Sequence, residues 1–295
     1  MSESQTEATA PRAPLVPETP PAEVAPRVHV FTDGRIDLVP NIGVIIGDRA
    51  ALVVDTAMGR RNGKRVLERA RALTDRELVL TITHFHPEHG WGAQSFEDRA
   101  RLVYNRVQLE ELREKFQPFV ELFTSFGPHV AEQLEGVRMI EPDETYDGAH
   151  ELDLGDLIVQ LREMPAHTRG DQVVWLPEQR VLFAGDLVEN RFFPILPDDD
   201  AHGSVWINVL AKLEALDPRV VVPGHGEVGG TALIRATREY LEAVRERVRG
   251  AAAEGHELEE IQRTLAPEIR QQWADWDNPV WIDFAIANFH GELAQ

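Results

Sequence analysis

No cysteine occurs among the 295 residues. Disulfides, iron–sulfur clusters and cysteine nucleophiles are thereby excluded. Nor is there a run of about 18 apolar residues, the length a membrane-crossing helix needs, so no membrane partner is expected. The first 26 residues, MSESQTEATAPRAPLVPETPPAEVAP, lack both the basic start and the apolar stretch of a secretion signal. Their Pro- and Glu-rich composition predicts a disordered tail over 1–26, and the missing signal predicts a cytoplasmic location.

Positive charge is also scarce. Asp and Glu number 50 against 30 Lys and Arg, a formal charge of −20. Binding nucleic acid needs basic side chains that neutralise phosphates, so no nucleic-acid partner is expected; a local basic groove is the exception such a field leaves open.

What is present is a chain 43% hydrophobic, enough to bury a substantial core in one large α/β domain or two ordinary ones. From Val28, the runs VHVFTDG, RIDLVPN, GVIIGD and ALVVDTA predict short strands separated by turns. Residues 61–75 place Val66, Leu67, Ala70 and Leu73 at helical spacing, and the apolar run 77–83 reads as a buried strand. Another strand is expected at 99–105. Residues 106–140 read as amphipathic helix, with Pro118 and Gly127-Pro128 as interruptions. Strands are expected again at 152–165, 172–177, 180–186 and 219–226. Helices follow at 204–216, with Ser204 as N-cap, at 231–248 and at about 255–275, before a Trp-rich tail. Strand runs and single helices alternate in both halves, suggesting two packed sheets with helices outside.

The strongest chemical signal is His84-Phe85-His86-Pro87-Glu88-His89. Residues two apart on extended backbone point the same way, so His84 and His86 converge. Pro87 then bends the chain, letting Glu88 and His89 approach from the following loop. Neutral imidazole and carboxylate oxygen are ligands that zinc, iron and manganese accept. For this composition such a pattern arises by chance in about one chain in 400, so isolated core histidines are a poor explanation. Three further residues end apolar strands in polar or glycine-containing turns: His167 in MPAHTRGD, Asp186 in RVLFAGD and His225 in VVVPGHG. A site at the mouths of strands needs this placement.

In that order the segments resemble the metallo-β-lactamase superfamily, over about residues 28–228. The resemblance implies an α/β fold, an αββα sandwich of two mixed β-sheets with outer helices. It implies a domain over 27–248 with a helical insertion at about 106–140; residues 249–295 then form a C-terminal helical extension packed on it. It further implies His84, His86 and His167 at a first metal, Glu88, His89 and His225 at a second, and Asp186 as the bridging carboxylate. The expected cofactor is zinc, one or two ions per chain, with iron or manganese as alternatives. Gly43, Asp55 and Gly59 fall in the family's opening hairpin as structural residues. Three departures stand out. Glu88 occupies the position of a usual Asp, AHTRGD replaces GHTPGD, and Trp91-Gly92-Ala93 replaces a glycine pair.

The implied function is a hydrolase that directs a metal-activated hydroxide at an ester, thioester, lactone or related small substrate. Asp186 and Glu88 are the catalytic candidates. Glu88 is either a ligand of the second metal or a proton shuttle, the shuttle being preferred. Trp91, Arg191 and Phe192 are the candidate substrate contacts. Phe116, Phe119, Phe123 and Phe126 either wall a pocket or pack their helix on the core. An iron-dependent sulfur dioxygenase on the same fold and a non-catalytic metal-binding scaffold are the alternatives.

Overall fold

The computed structural model describes residues 12–196 and 200–294. A seven-stranded sheet runs in chain order through β1 (Ala22–Ala25), β2 (Val28–Phe31), β3 (Ile42–Ile46), β4 (Ala50–Val54), β5 (Glu77–Thr81), β6 (Arg101–Asn105) and β7 (Glu144–Tyr146). The first four pair antiparallel and the rest parallel. The second sheet has the order β12 (Val220–Pro223), β11 (Val181–Gly185), β10 (Gln172–Leu176), β9 (Ile158–Glu163), β8 (Ala149–Asp153). There β11 and β12 are parallel and the others antiparallel.

Alternation along the strands builds the layers, because successive side chains of a strand face opposite sides. In β4, Leu52 and Val54 join Val30, Ile45, Val174 and Phe183 between the sheets, while Ala51 and Val53 face the other way. That outer face is covered by α1 (Gly59–Leu73), α3 (Arg106–Thr124) and α4 (Pro128–Leu134), through Val66, Leu112, Phe123 and Val130. Beyond the second sheet, Leu182, Ala184 and Val221 pack under α5 (Gly203–Ala215), α6 (Ala232–Ala253), α7 (Leu258–Gln272) and α8 (Trp281–Glu292). The result is an αββα sandwich. No helix among the described residues is long and apolar enough to cross a membrane.

Several expectations are corrected. Residues 35–41 are a turn rather than a strand. Arg35 and Leu38 have φ of 51° and 59°, and the Asp33 N–H donates to Asn41 Oδ1 across the loop. Pro118 does not interrupt α3, which runs through it. The break comes at Gly127-Pro128, where α4 begins. Ser204 is not an N-cap: α5 starts one residue earlier, and the Ser204 hydroxyl donates to Glu292 of α8. The Trp-rich C-terminus holds a helix, α8, that its pattern did not reveal.

The largest correction concerns the N-terminus. Residues 1–11 of the expected tail lie outside the described residues, but 12–26 are docked. Strand β1 pairs with β2, and Val16 is 1% exposed in the outer core. The buried Asn62 side chain donates to Pro14 O and accepts from the Val16 N–H, and Arg65 and Arg69 donate to carbonyls of Val16, Pro17 and Thr19. Backbone groups that composition left to water therefore have partners on α1. Burying a valine contributes about 1.5–3 kcal/mol. Deleting residues 1–26 is accordingly expected to lower Tm by at least about 5 °C. An unchanged melting curve would show that this segment adds no stability.

Candidate metal centre

The site forms where strands of both sheets end. His84 and His86 follow β5, His167 follows β9, Asp186 follows β11 and His225 follows β12. Between His86 and Trp91 the chain makes a single helical turn, α2 (Pro87–Gly90), with Pro87 at its start, and this turn carries Glu88 and His89. All seven side chains are buried, each 6% exposed or less. Their ligand atoms gather in two groups, His84, His86, His167 and Asp186 in one and Glu88, His89 and His225 in the other, within 4.8 Å inside each group. Asp186 touches both. Its Oδ1 lies 3.0 Å from His89 Nε2 and 3.9 Å from His225 Nε2, and its Oδ2 lies 3.8 Å from His84 Nε2.

The first group has the shape of a metal cradle. The rings of His84, His86 and His167 sit 4.7–4.8 Å apart, pairwise at 74–89°, so three edges converge on one point. Buried polar atoms normally find hydrogen-bond partners. Here His84 Nε2, both ring nitrogens of His167, Asp186 Oδ2 and Glu88 Oε2 have none, and His89 Nε2 and Asp186 Oδ1 have only each other. Burial, reinforced by neighbouring imidazoles, holds His84 and His86 well below their usual pKa, which leaves lone pairs available. Burial opposes charge on Asp186, yet His89, His84 and His225 outweigh it and keep the carboxylate ionised. Nitrogen and oxygen donors with no other partner fit a divalent transition metal.

Polar neighbours fix these donors. Asp55, at φ 67°, accepts from the Thr83 N–H and hydroxyl and holds His89 Nδ1 at 2.9 Å. A carboxylate on one ring nitrogen turns the other towards the site. Asp171 organises the AHTRGD turn, accepting from the Ala166, His167 and Thr168 N–H groups and the Thr168 hydroxyl. Glu189 accepts from the His225 N–H, while burial and then Asp186 push its carboxyl well above the usual range. Asp33 and Asn41 tie the opening hairpin to Gly226, beside His225. Gly224 permits the approach of two strands, because a Cβ there would lie 1.9 Å from Asp186 Oδ1.

Helix α3 supports the site from the side. Asn105 and Gln108 form a reciprocal cap at its start, and Gln108 Nε2 also donates to Ile82 and Thr83 carbonyls just before His84. Glu111 accepts from the Gly170 and Arg169 N–H groups, holding the His167 loop. A proline in place of Arg169 would lack that second donor. Lys115 lies 3.5 Å and the Arg169 guanidinium 3.7 Å from Glu111, Asp171 acts on it through space, and Arg169 also pairs with Glu114 and Asp200. Burial raises the Glu111 carboxyl from 4.5 to about 7, with Lys115 opposing and Asp171 adding to the rise. Since the folded state holds this proton more tightly, the contribution is full below pH 4.5 and lost as pH rises through about 7. Relative to Glu111→Gln, wild-type stability should fall by on the order of 3 kcal/mol across that window. A Tm difference between the two proteins that stays flat with pH would contradict this.

The proposed substrate contacts divide. Trp91 is corrected: it is 2% exposed, donates from Nε1 to Phe85 O and packs on Phe116, so α2 turns it into the core. Phe192 stacks on His225 at 22° and 5.6 Å, and the half-exposed Arg191 pairs with Glu227 beside it. Phe193 is core, against Tyr240 and Trp276. Of the α3 phenylalanines, Phe119 stacks on His86 at 24°, Phe123 is buried, Phe116 lies on Trp91, and Phe126 is exposed. Pattern reading passed over Asp171, Gln108, Glu111 and Glu189. Of these, only Asp171 carried a sequence signal, as the last residue of AHTRGD.

Comparison with known proteins agrees with this geometry. An uncharacterised protein of Mycobacterium leprae is 31% identical over 214 residues, covering 68% of this chain and 93% of its own length. A human acyl-coenzyme A thioesterase is 25% identical, over 68% of this chain and 78% of its own. The crystal structure of a metallo-beta-lactamase family protein from Thermus thermophilus superposes with a TM-score of 0.67 at 18% identity, over 92% of this chain and 95% of that one. The sequence profile of the metallo-beta-lactamase superfamily matches residues 35–225. With that match spanning both ligand groups, the chain belongs to the metallo-β-lactamase superfamily.

Proposed function

We propose that this protein is a metal-dependent hydrolase of small ester, thioester or lactone substrates, with zinc as its metal. The observation that carries the reading is the pair of buried donor groups, seven side chains whose ligand atoms lie within 4.8 Å in each group. When bound, such metals lower the pKa of water towards neutrality and draw electrons from a substrate oxygen. His84, His86 and His167 would hold the first ion, and Glu88, His89 and His225 the second, with Asp186 in reach of both groups. Asp55 fixes the ring of His89 through Nδ1. Glu88 Oε2, buried and without a hydrogen-bond partner, is the oxygen offered to the second ion, and the same carboxylate passes a proton towards the leaving group. Phe192 and Phe119, stacked on ligand histidines, flank the approach with apolar surface. The thioesterase activity named for the human relative favours a thioester among these substrates. A sulfur dioxygenase needs one metal and leaves the second donor group without a task.

The test pairs elemental analysis with a substrate panel. Protein purified without added metal should carry one to two equivalents of transition metal, and a chelator should abolish hydrolysis that zinc then restores. Fewer than ~0.2 equivalents, with no uptake of zinc, iron or manganese, would remove the metalloenzyme reading. Metal without hydrolysis of any ester, thioester or lactone would remove the substrate assignment.

A further inference from the structure

Charge is distributed unevenly over this molecule. Against the overall −20, residues 59–76 hold seven basic side chains (Arg60, Arg61, Lys64, Arg65, Arg69, Arg71 and Arg76) and two acidic ones, Glu68 and Asp75. Helix α1 sorts the basic residues by function. Arg65 and Arg69 are turned to the docked N-terminal segment. Arg60, Lys64 and Arg71 recur at spacings of four and seven, so they share one edge of the helix. Arg99, just before β6, faces that edge. Together with Leu67, Gln94 and Ser95 they line a groove of about 560 Å³, a size typical of small-molecule sites.

The groove's positive field is left largely uncancelled. Of its two carboxylates, Glu97 is paired outwards with Arg138, and Glu68 lies 3.7 Å from Lys64. Arg71, among the described residues, donates only to the carbonyls of Arg76 and Arg99. Among the described residues, Arg60 and Arg99 have no carboxylate within salt-bridge distance. The guanidinium groups of Arg60 and Arg99 and the ammonium of Lys64 therefore line one groove beside the apolar Leu67. These are the donors that recognise phosphate oxygens, and Leu67 suits an organic body attached to them.

We propose that this groove binds an organic polyphosphate, a nucleotide-like small molecule, at a site separate from the metal centre, with which it shares no residue. Length is what separates this ligand from nucleic acid. A short anion stays within the local positive basin, whereas a long polyanion extends beyond it over a molecule whose net charge is −20. The site does not depend on hydrolase activity, so either reading can fail alone.

The experiment titrates the full, metal-loaded chain with ATP and with inorganic tripolyphosphate by calorimetry, beside the double variant Arg60→Gln/Arg99→Gln. Both residues are exposed, and an unchanged melting temperature will show that the variant folds. Saturable binding is expected with Kd below about 1 mM, weakening as salt is added and at least about tenfold poorer in the variant. Equal binding by wild type and variant would place the phosphates on the metal centre and overturn the proposal. So would no saturation by either probe. Tighter binding of single-stranded oligonucleotide or of anionic lipid vesicles than of ATP would assign the groove to that partner instead.

Discussion

Truncating the chain after Gly250 is expected to leave aggregated protein with no cooperative melting transition. The lost segment supplies Ile261, Leu265, Ile269, Trp276, Ile282, Ile286 and Phe289 to the core outside the second sheet. Each such side chain contributes about 1.5–3 kcal/mol when fully buried, and a whole domain is stable by only about 5–15 kcal/mol. Truncation also strips the faces of Tyr240, Val244, Val248 and Phe193, exposing a contiguous apolar patch of the kind that drives association. A soluble product with an unchanged melting temperature would show that residues 251–295 form an independent appendage.

The same truncation should reach the metal centre. Asp277, in the connection between α7 and α8, donates its N–H to Arg191 O and accepts from the Phe193 N–H, pairing as a short bridge with Phe192. Its carboxylate also holds Arg35 at 2.5 Å. The loop that lays Phe192 over His225 is thus clamped by the C-terminal extension. An extension read from sequence only as packing therefore shapes one wall of the site.

Legibility in the sequence followed how local the deciding interaction was. Strands β3 to β5 were readable because burial on both faces demands unbroken apolar runs. The clustering of His84, His86, His167, Asp186 and His225 was readable because a strand end followed by histidine or aspartate is a pattern within a few residues. The segment 35–41 misled, since its apolar Ile36, Leu38 and Val39 pack from a turn pinned by Asp33 and Asn41. Trp91 misled for a related reason: adjacency to ligands in sequence is not adjacency in space once α2 has rotated the chain. Glu111 and Gln108 could not be read at all. The groups they hold, at Gly170 and Thr83, are 59 and 25 residues away, and nothing within a helical pattern announces them. Residues 12–26 failed because composition measures how much apolar surface a segment owns. It does not measure how many carbonyls a neighbouring helix can satisfy.

Glu88→Gln is expected to lose one equivalent of metal and to lower turnover by roughly 10²–10⁴-fold. The sequence favoured Glu88 as a proton shuttle beside a single metal, because the family's Asp is one methylene shorter. The geometry shifts the balance, since a carboxylate oxygen of Glu88 lies within 4.8 Å of ring nitrogens of His89 and His225. Helix α2 sets that reach. Its backbone is held by His89 and Gly90 N–H groups on His86 O, so a shorter side chain cannot follow by a backbone shift alone. Glu88→Asp would withdraw the carboxylate by about one C–C bond, roughly 1.5 Å. It should weaken the second metal without abolishing its binding. Glutamine keeps the length but is a poor ligand and holds no proton to give. Metal stoichiometry and single-turnover rate must therefore be measured on the same preparation. Full metal with a slowed reaction would leave Glu88 as a proton carrier alone. Full metal at the wild-type rate would remove it from the chemistry, and its burial beside His89 would then be a matter of packing.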